Sequence, residues 1–255
     1  MEGASTARLM LLRHGESTLN ASSTFTGLLD APLTPAGEAQ LGVAASLIAE
    51  AGLRPDLIVT TPMVRARRTT DLLLGGLGLA TDAGGVREVV TWRLVERDYG
   101  CLTGLPKSDA RALLGEEAFF TLRRTMNGRP PAASGEQADS WPLAPVADRG
   151  PLVPGAGESL ADVVRRVRPA WEELIRPALE AGEVVFVVAH GNSLRALCST
   201  MEHLSDAETE CLNIPAGHPL VYELRDGVLL PRGGRYLDHA AARTAASLVA
   251  AEGGT

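Results

Sequence analysis

Leu9-Met10-Leu11-Leu12-Arg13-His14-Gly15-Glu16-Ser17 opens on a short apolar run and ends abruptly in a cation, an imidazole and a glycine. The run has the length and composition of a buried strand. At the carboxyl end of a parallel strand, side chains leave the core and face the crevice where α/β proteins bind ligands. Arg13 offers a planar fork of donors suited to phosphate. His14 titrates near neutrality, so an unprotonated imidazole is available there as a nucleophile. Gly15 is expected to allow a sharp turn and the close approach of a ligand to the backbone.

A second stretch repeats the pattern. Val184 to Ala189 is the cleanest apolar run in the chain and meets His190-Gly191-Asn192-Ser193 at its end. Two His-Gly pairs, each ending a buried strand, direct two imidazoles into one crevice if the strands are parallel neighbours. Two histidines and several arginines around one point suit phosphoryl transfer, where charge spreads over the equatorial oxygens.

Between these strands the chain alternates strand and helix. Thr34-Pro35 marks a helix start, with Leu41, Ala44, Ala45 and Ile48 on one face and Gly52 at its end. Leu57–Val59 is a strand, followed by a helix carrying Arg65, Arg67 and Arg68 in its first turns. Val86–Val90 is a further strand, Trp92–Gly104 an ordered loop, and Ser108–Arg124 two short helices broken near Gly115. Ser159 to about Ala181 has the period of a long helix bent at Pro169. A helix over Ser193–Glu202 and a hairpin of Leu220–Leu224 with Val228–Leu230 complete the pattern. The expected fold is three-layer α/β/α with a mainly parallel central sheet, in a single domain over residues 1–255. Residues 127–157 are rich in Pro, Ala, Gly and Ser and are expected to form a lid or a mobile excursion. An alanine-rich tail over 240–255 is a terminal helix or a flexible flap.

A net charge of −7 argues against a general nucleic-acid binder, and no apolar run is long enough to span a bilayer. Any anion must be held by a local cluster of cations. Cys101, Cys198 and Cys211 have no paired or metal-ligand spacing and are expected to be buried, reduced thiols of a cytoplasmic protein. The five histidines form no local metal motif, so no metal is expected.

The chain resembles the histidine phosphatase superfamily and, within it, the cofactor-dependent phosphoglycerate mutases. The matching segments run in order: Arg13-His14-Gly15-Glu16-Ser17, Asn20, Phe25-Thr26-Gly27, Arg65-Ala66, Trp92-Arg93-Leu94, Glu96-Arg97, Tyr99-Gly100, Arg123-Arg124, Ala189 to Leu197, Leu212-Asn213-Ile214-Pro215 and Tyr236-Leu237-Asp238. The resemblance implies that His14 carries the phosphoryl group as phosphohistidine, that His190, Arg13 and Arg65 stabilise it in transfer, and that Glu96 gives and takes the proton. It implies that Ser17, Asn20, Thr26, Gly27, Gly191 and Asn192 contact phosphate oxygens. Arg97, Tyr99, Lys107, Arg123 and Arg124 would hold the far phosphate and carboxylate. The implied reaction interconverts 2- and 3-phosphoglycerate with 2,3-bisphosphoglycerate as primer, in a homodimer or homotetramer. The alternatives are a histidine phosphatase acting on a small phosphorylated metabolite and, less favoured, a non-catalytic phosphate-binding protein.

The family's Asn-Glu-Arg-His-Tyr-Gly stands here as Val95-Glu96-Arg97-Asp98-Tyr99-Gly100, and Leu28 replaces a tryptophan after Thr26-Gly27. The 127–157 stretch lacks the family's charged lid segment. A carboxylate at Asp98 is expected to repel a multiply charged substrate unless Arg97 or another cation compensates.

Overall fold

The computed structural model describes residues 7–81, 85–145 and 150–251. Six strands form one mixed sheet in the order β3-β2-β4-β1-β5-β6. They are β1 (Arg8–Arg13), β2 (Leu57–Thr60), β3 (Arg87–Val90), β4 (Val184–Ala189), β5 (Leu220–Arg225) and β6 (Val228–Tyr236). The first four run parallel, and β5 and β6 add an antiparallel edge beyond β1. The mainly parallel α/β architecture read from the sequence is therefore the one observed.

The two periods of the sequence explain the layers. Along β1, Leu9 and Leu11 pack into one apolar cluster with Val185 and Val187 of β4, while Met10 and Leu12 join Phe186 on the opposite face. The Met10 face is covered by α2 (Pro35–Glu50) and α3 (Val64–Gly76), through Leu41, Ala45, Ile48, Leu73 and Leu74. The Leu9 face is covered by α7 (Leu160–Ala170), α8 (Arg176–Glu180) and α9 (Gly191–Glu202), through Leu160, Val163, Val167, Leu179, Leu194 and Leu197. Strands buried on both sides need apolar residues at every position, which is why β1 and β4 read as unbroken hydrophobic runs.

Smaller helices occupy the connections: α1 (Thr18–Ala21), α4 (Lys107–Leu114), α5 (Glu116–Arg124), α6 (Gly135–Asp139), α10 (Asp206–Cys211) and α11 (His239–Ala251). Thr34 caps α2 as expected, accepting from Gly37 N at 2.9 Å. The helices α1 and α10 are each held by a serine capping box, and neither was foreseen. The segment from Leu160 does not simply bend at Pro169 but widens into a π-turn over Trp171–Ile175. Proline has no N–H to donate, so the regular ladder is already interrupted there. The strand β6 runs past Leu230 to Tyr236 despite Pro231, because it is an edge strand whose outward side needs no donor. Of the cysteines, Cys198 is buried, Cys101 half-buried and Cys211 exposed, so the expectation of three buried thiols holds only for Cys198. No helix among the described residues is long and apolar enough to cross a membrane.

Candidate active site

Strand register places the two histidines. β1 and β4 pair in parallel with Arg13 opposite Ala189, and His14 N donates to Ala189 O at 3.0 Å. The next residue on each strand is therefore His14 and His190, whose ring centroids lie 5.0 Å apart at 61°. That is about the spacing of adjacent strands.

The partners of His14 fix its tautomer. Nδ1 sits 2.7 Å from the carbonyl oxygen of Gly15, which only accepts, so Nδ1 carries the proton. Nε2 then holds the lone pair and accepts from Arg65 Nε at 3.2 Å. Burial, with Arg65 and Arg13 as neighbouring cations, holds the His14 pKa well below 6.5, and burial and Arg65 do the same for His190. A neutral His14 with its Nε2 lone pair beside a guanidinium has the form that attack on an anionic electrophile requires. His190 Nε2 is 2.9 Å from Thr61 Oγ1.

Arg65 is the fixed cation of the site. Its Nη1 donates to Leu29 O at 2.8 Å and its Nη2 to Gly27 O at 3.1 Å, so all three guanidinium nitrogens are oriented. Burial lowers its pKa to about 10, which leaves it charged at neutrality. Arg13 Nη1 donates to Ile214 O at 3.0 Å.

Glu96 reaches the same cleft from the loop after β3. Its Oε1 accepts from Arg97 N at 2.8 Å, Asn192 Nδ2 at 3.1 Å and Asn192 N at 3.3 Å. Asn192 Nδ2 also lies 2.9 Å from the Tyr99 hydroxyl, and Arg195 Nη1 donates to Asn192 Oδ1 at 3.1 Å. One carboxylate oxygen is thus tied down by three N–H groups.

The loop after β1 is strapped to α2. Thr34 Oγ1 donates to Glu16 Oε1 at 2.7 Å, and a Cβ on Gly15 would lie 2.5 Å from Gly37 O. This corrects the reason for Gly15: the space of its missing side chain is taken by the backbone of α2, not by a ligand.

The cleft is lined by Arg13, His14, Asn20, Thr26, Gly27, Arg65, Glu96, Tyr99, Lys107, Arg123 and Asn192, all named from the sequence. Thr24 and Val249 line it too and were not foreseen, as does Phe25, which was named from the resemblance without a role. Five expected site residues do not line it, and His190 is one of them, fully buried with its ring beside that of His14. Ser17 caps α1, and Gly191 opens α9. Arg97 is fully buried and donates to the carbonyls of Glu158, Leu122 and Gly128, with its guanidinium 5.3 Å from the Tyr99 ring centre. Arg124 donates to Asn213 Oδ1 at 3.0 Å and to Glu210 O. Thr61, which touches His190, and Arg195, which touches Asn192, were not named as candidates. Thr61 was findable, since it follows β2, the parallel strand on the other side of β4.

Asp98 does not face the cleft, contrary to the expected repulsion. It is fully buried, and its two carboxylate oxygens accept from Gly100 N at 2.8 Å and Gly157 N at 3.1 Å. Burial raises its pKa. Leu28 and Val95 pack against each other with Met63 and Ala144, so those two departures form one apolar cluster.

Among the described residues no group of three His, Cys, Asp or Glu side chains is placed to hold a metal. A model of the histidine phosphatase superfamily, branch 1, matches residues 9–141 and 123–228. The chain is 44% identical over 248 residues to the 2,3-bisphosphoglycerate-dependent phosphoglycerate mutase of Thermobifida fusca, covering 96% of this chain and 98% of the relative. It is 43% identical to the protein of that name from Mycobacterium bovis, covering 98% and 99%. Among solved structures, a mycobacterial glucosyl-3-phosphoglycerate phosphatase superposes with a TM-score of 0.64 at 28% identity, over 85% of this chain and 92% of the other. The chain belongs to branch 1 of the histidine phosphatase superfamily and, within it, to the family of the 2,3-bisphosphoglycerate-dependent phosphoglycerate mutases.

Proposed function

We propose that this protein interconverts 2-phosphoglycerate and 3-phosphoglycerate through a phosphohistidine at His14, with 2,3-bisphosphoglycerate as primer. The observation that carries the reading is the lone pair of His14 Nε2, held neutral beside Arg65 and His190 in a cleft that also contains Glu96. Nε2 attacks phosphorus while the bond from phosphorus to the substrate oxygen breaks, and Glu96 protonates that oxygen as it leaves. Arg13, Arg65 and His190 stabilise the charge on the transferring group. In the return step Glu96 takes the proton from the hydroxyl that receives the phosphoryl group. Lys107 and Arg123 supply cations on α4 and α5 for the rest of the substrate, and Asn20, Thr26, Gly27, Tyr99 and Asn192 supply polar contacts. The same reading places the enzyme in the cytoplasm, as a homodimer or homotetramer.

A phosphatase shares the first half of this chemistry and differs in giving the phosphoryl group to water. The assay is incubation with 3-phosphoglycerate, with and without 2,3-bisphosphoglycerate, following 2-phosphoglycerate and free phosphate together. Primer-dependent formation of 2-phosphoglycerate is expected. Free phosphate without isomerisation overturns the reading in favour of the phosphatase.

A further inference from the structure

A buried ion pair, Glu158 with Arg166, lies outside the cleft lining. Arg166 of α7 grips Glu158 with two prongs, Nε to Oε1 at 2.7 Å and Nη2 to Oε2 at 3.1 Å. The pair holds the backbone that carries Glu96. Arg166 Nη2 donates to Glu96 O at 3.0 Å and Nη1 to Arg93 O at 2.9 Å. Glu158 Oε2 accepts from Asp98 N at 3.0 Å, Glu158 N donates to Asp98 O at 2.8 Å, and Glu158 O accepts from Arg97 Nε at 2.6 Å. Residues 93 to 98 are therefore pinned by one acid and one base. Replacing a buried ion pair with apolar residues is often neutral or stabilising, so stability alone does not call for one here. Holding a loop in one geometry does, because a misplacement of about 1 Å at a reacting group costs on the order of 100-fold in rate.

We propose that the Glu158–Arg166 pair is the positioning element of Glu96, setting where its carboxylate meets the substrate oxygen. Arg166 fixes the Glu96 carbonyl and Glu158 fixes Asp98 N, so the intervening Arg97 N stays aimed at Glu96 Oε1. The inference rests on Glu96 as the proton carrier.

The test compares two phosphoryl donors in Arg166→Lys, Glu158→Gln and Glu96→Gln. Mutase turnover has an alkoxide-like leaving oxygen that needs a proton. Labelling of His14 by 2,4-dinitrophenyl phosphate releases a stable phenolate that does not. Arg166→Lys keeps the charge but loses the fork, and is expected to lower mutase kcat about 10- to 100-fold. Its KM and its labelling rate should stay within about threefold. Glu158→Gln, which keeps size and shape, should show the same selective loss and serves if Arg166→Lys does not fold. Added to Glu96→Gln, either change should cost nothing further. Equal slowing with both donors, full mutase activity, or multiplying losses in the double variants overturns the proposal. Full mutase activity in Glu96→Gln alone instead overturns the proton-carrier reading on which it stands.

Discussion

At the scale of single residues, His14 does the most with the least. Its neutrality comes from burial and from two guanidinium neighbours, and its tautomer from one carbonyl. The His14→Ala variant should form no acid-labile phosphoenzyme with 2,3-bisphosphoglycerate; labelling that persists would place the nucleophile elsewhere. The depressed pKa has a signed consequence for stability. In the unfolded chain His14 and His190 take up protons near 6.5, whereas in the folded chain both stay neutral to well below that. Between those limits the unfolded state binds more protons, so stability is lost as pH falls below 6.5. Each such proton contributes about 1.4 kcal/mol per pH unit where it is fully bound only in the unfolded state. Denaturant titrations from pH 7.5 to 5 should show that decline, and His14→Gln should make it shallower. An unchanged slope in the variant would mean that His14 is not held neutral by the fold.

At the scale of elements, packing at the start of α2 shapes the loop that carries His14. A Cβ on Gly37 would collide with Glu16 O, while a Cβ on Gly42, further along the same helix, meets nothing within 4 Å. Gly37→Ala is therefore expected to cost about 1–3 kcal/mol and to lower activity without touching the cleft. Gly42→Ala in the same helix should gain about 0.5–1 kcal/mol. Melting curves of the two variants separate these outcomes; equal shifts would deny the contact its role. Asp98 gives a matching prediction for the loop after β3. Its carboxylate holds Gly100 N and Gly157 N rather than facing substrate. Asp98→Asn should lose roughly 1–2 kcal/mol of stability while KM for 3-phosphoglycerate stays within about twofold. A large fall in KM would show that the charge is felt by the substrate after all.

At the scale of the molecule, the electrostatics are those of a cationic cleft on an anionic protein. The chain carries −7 overall, yet Arg13, Arg65, Lys107 and Arg123 all line the cleft that Glu96 shares. Attraction of an anionic substrate into such a cleft is screened by salt, with a Debye length of about 10 Å at 0.1 M. Raising sodium chloride from 20 to 300 mM, roughly the span over which screening tightens across such a site, should lower kcat/KM for 3-phosphoglycerate. The loss should be smaller in Lys107→Met. A salt-independent kcat/KM in the parent would assign the cleft's cations to local contacts alone.

Much of this was legible in the chain because it is local. Apolar runs of β1 and β4 require burial on both faces, Thr34-Pro35 favours a helix start, and His-Gly at the ends of two such strands brings two imidazoles together. The parallel sheet and the seating of His14 and His190 at neighbouring strand ends follow from such patterns. What tertiary structure alone decided concerns direction. Sequence cannot say that Asp98 turns away to two backbone N–H groups, or that Arg97 spends its guanidinium on carbonyls of residues 122, 128 and 158. Nor can it say that the missing side chain of Gly15 makes room for α2. A charged side chain's partner is set by whichever distant segment the fold brings within 3 Å, and buried donors and acceptors must be paired wherever they land. Residue type and spacing thus fixed the chemistry available at the end of β1, while the packing of distant segments fixed which charges face the cleft.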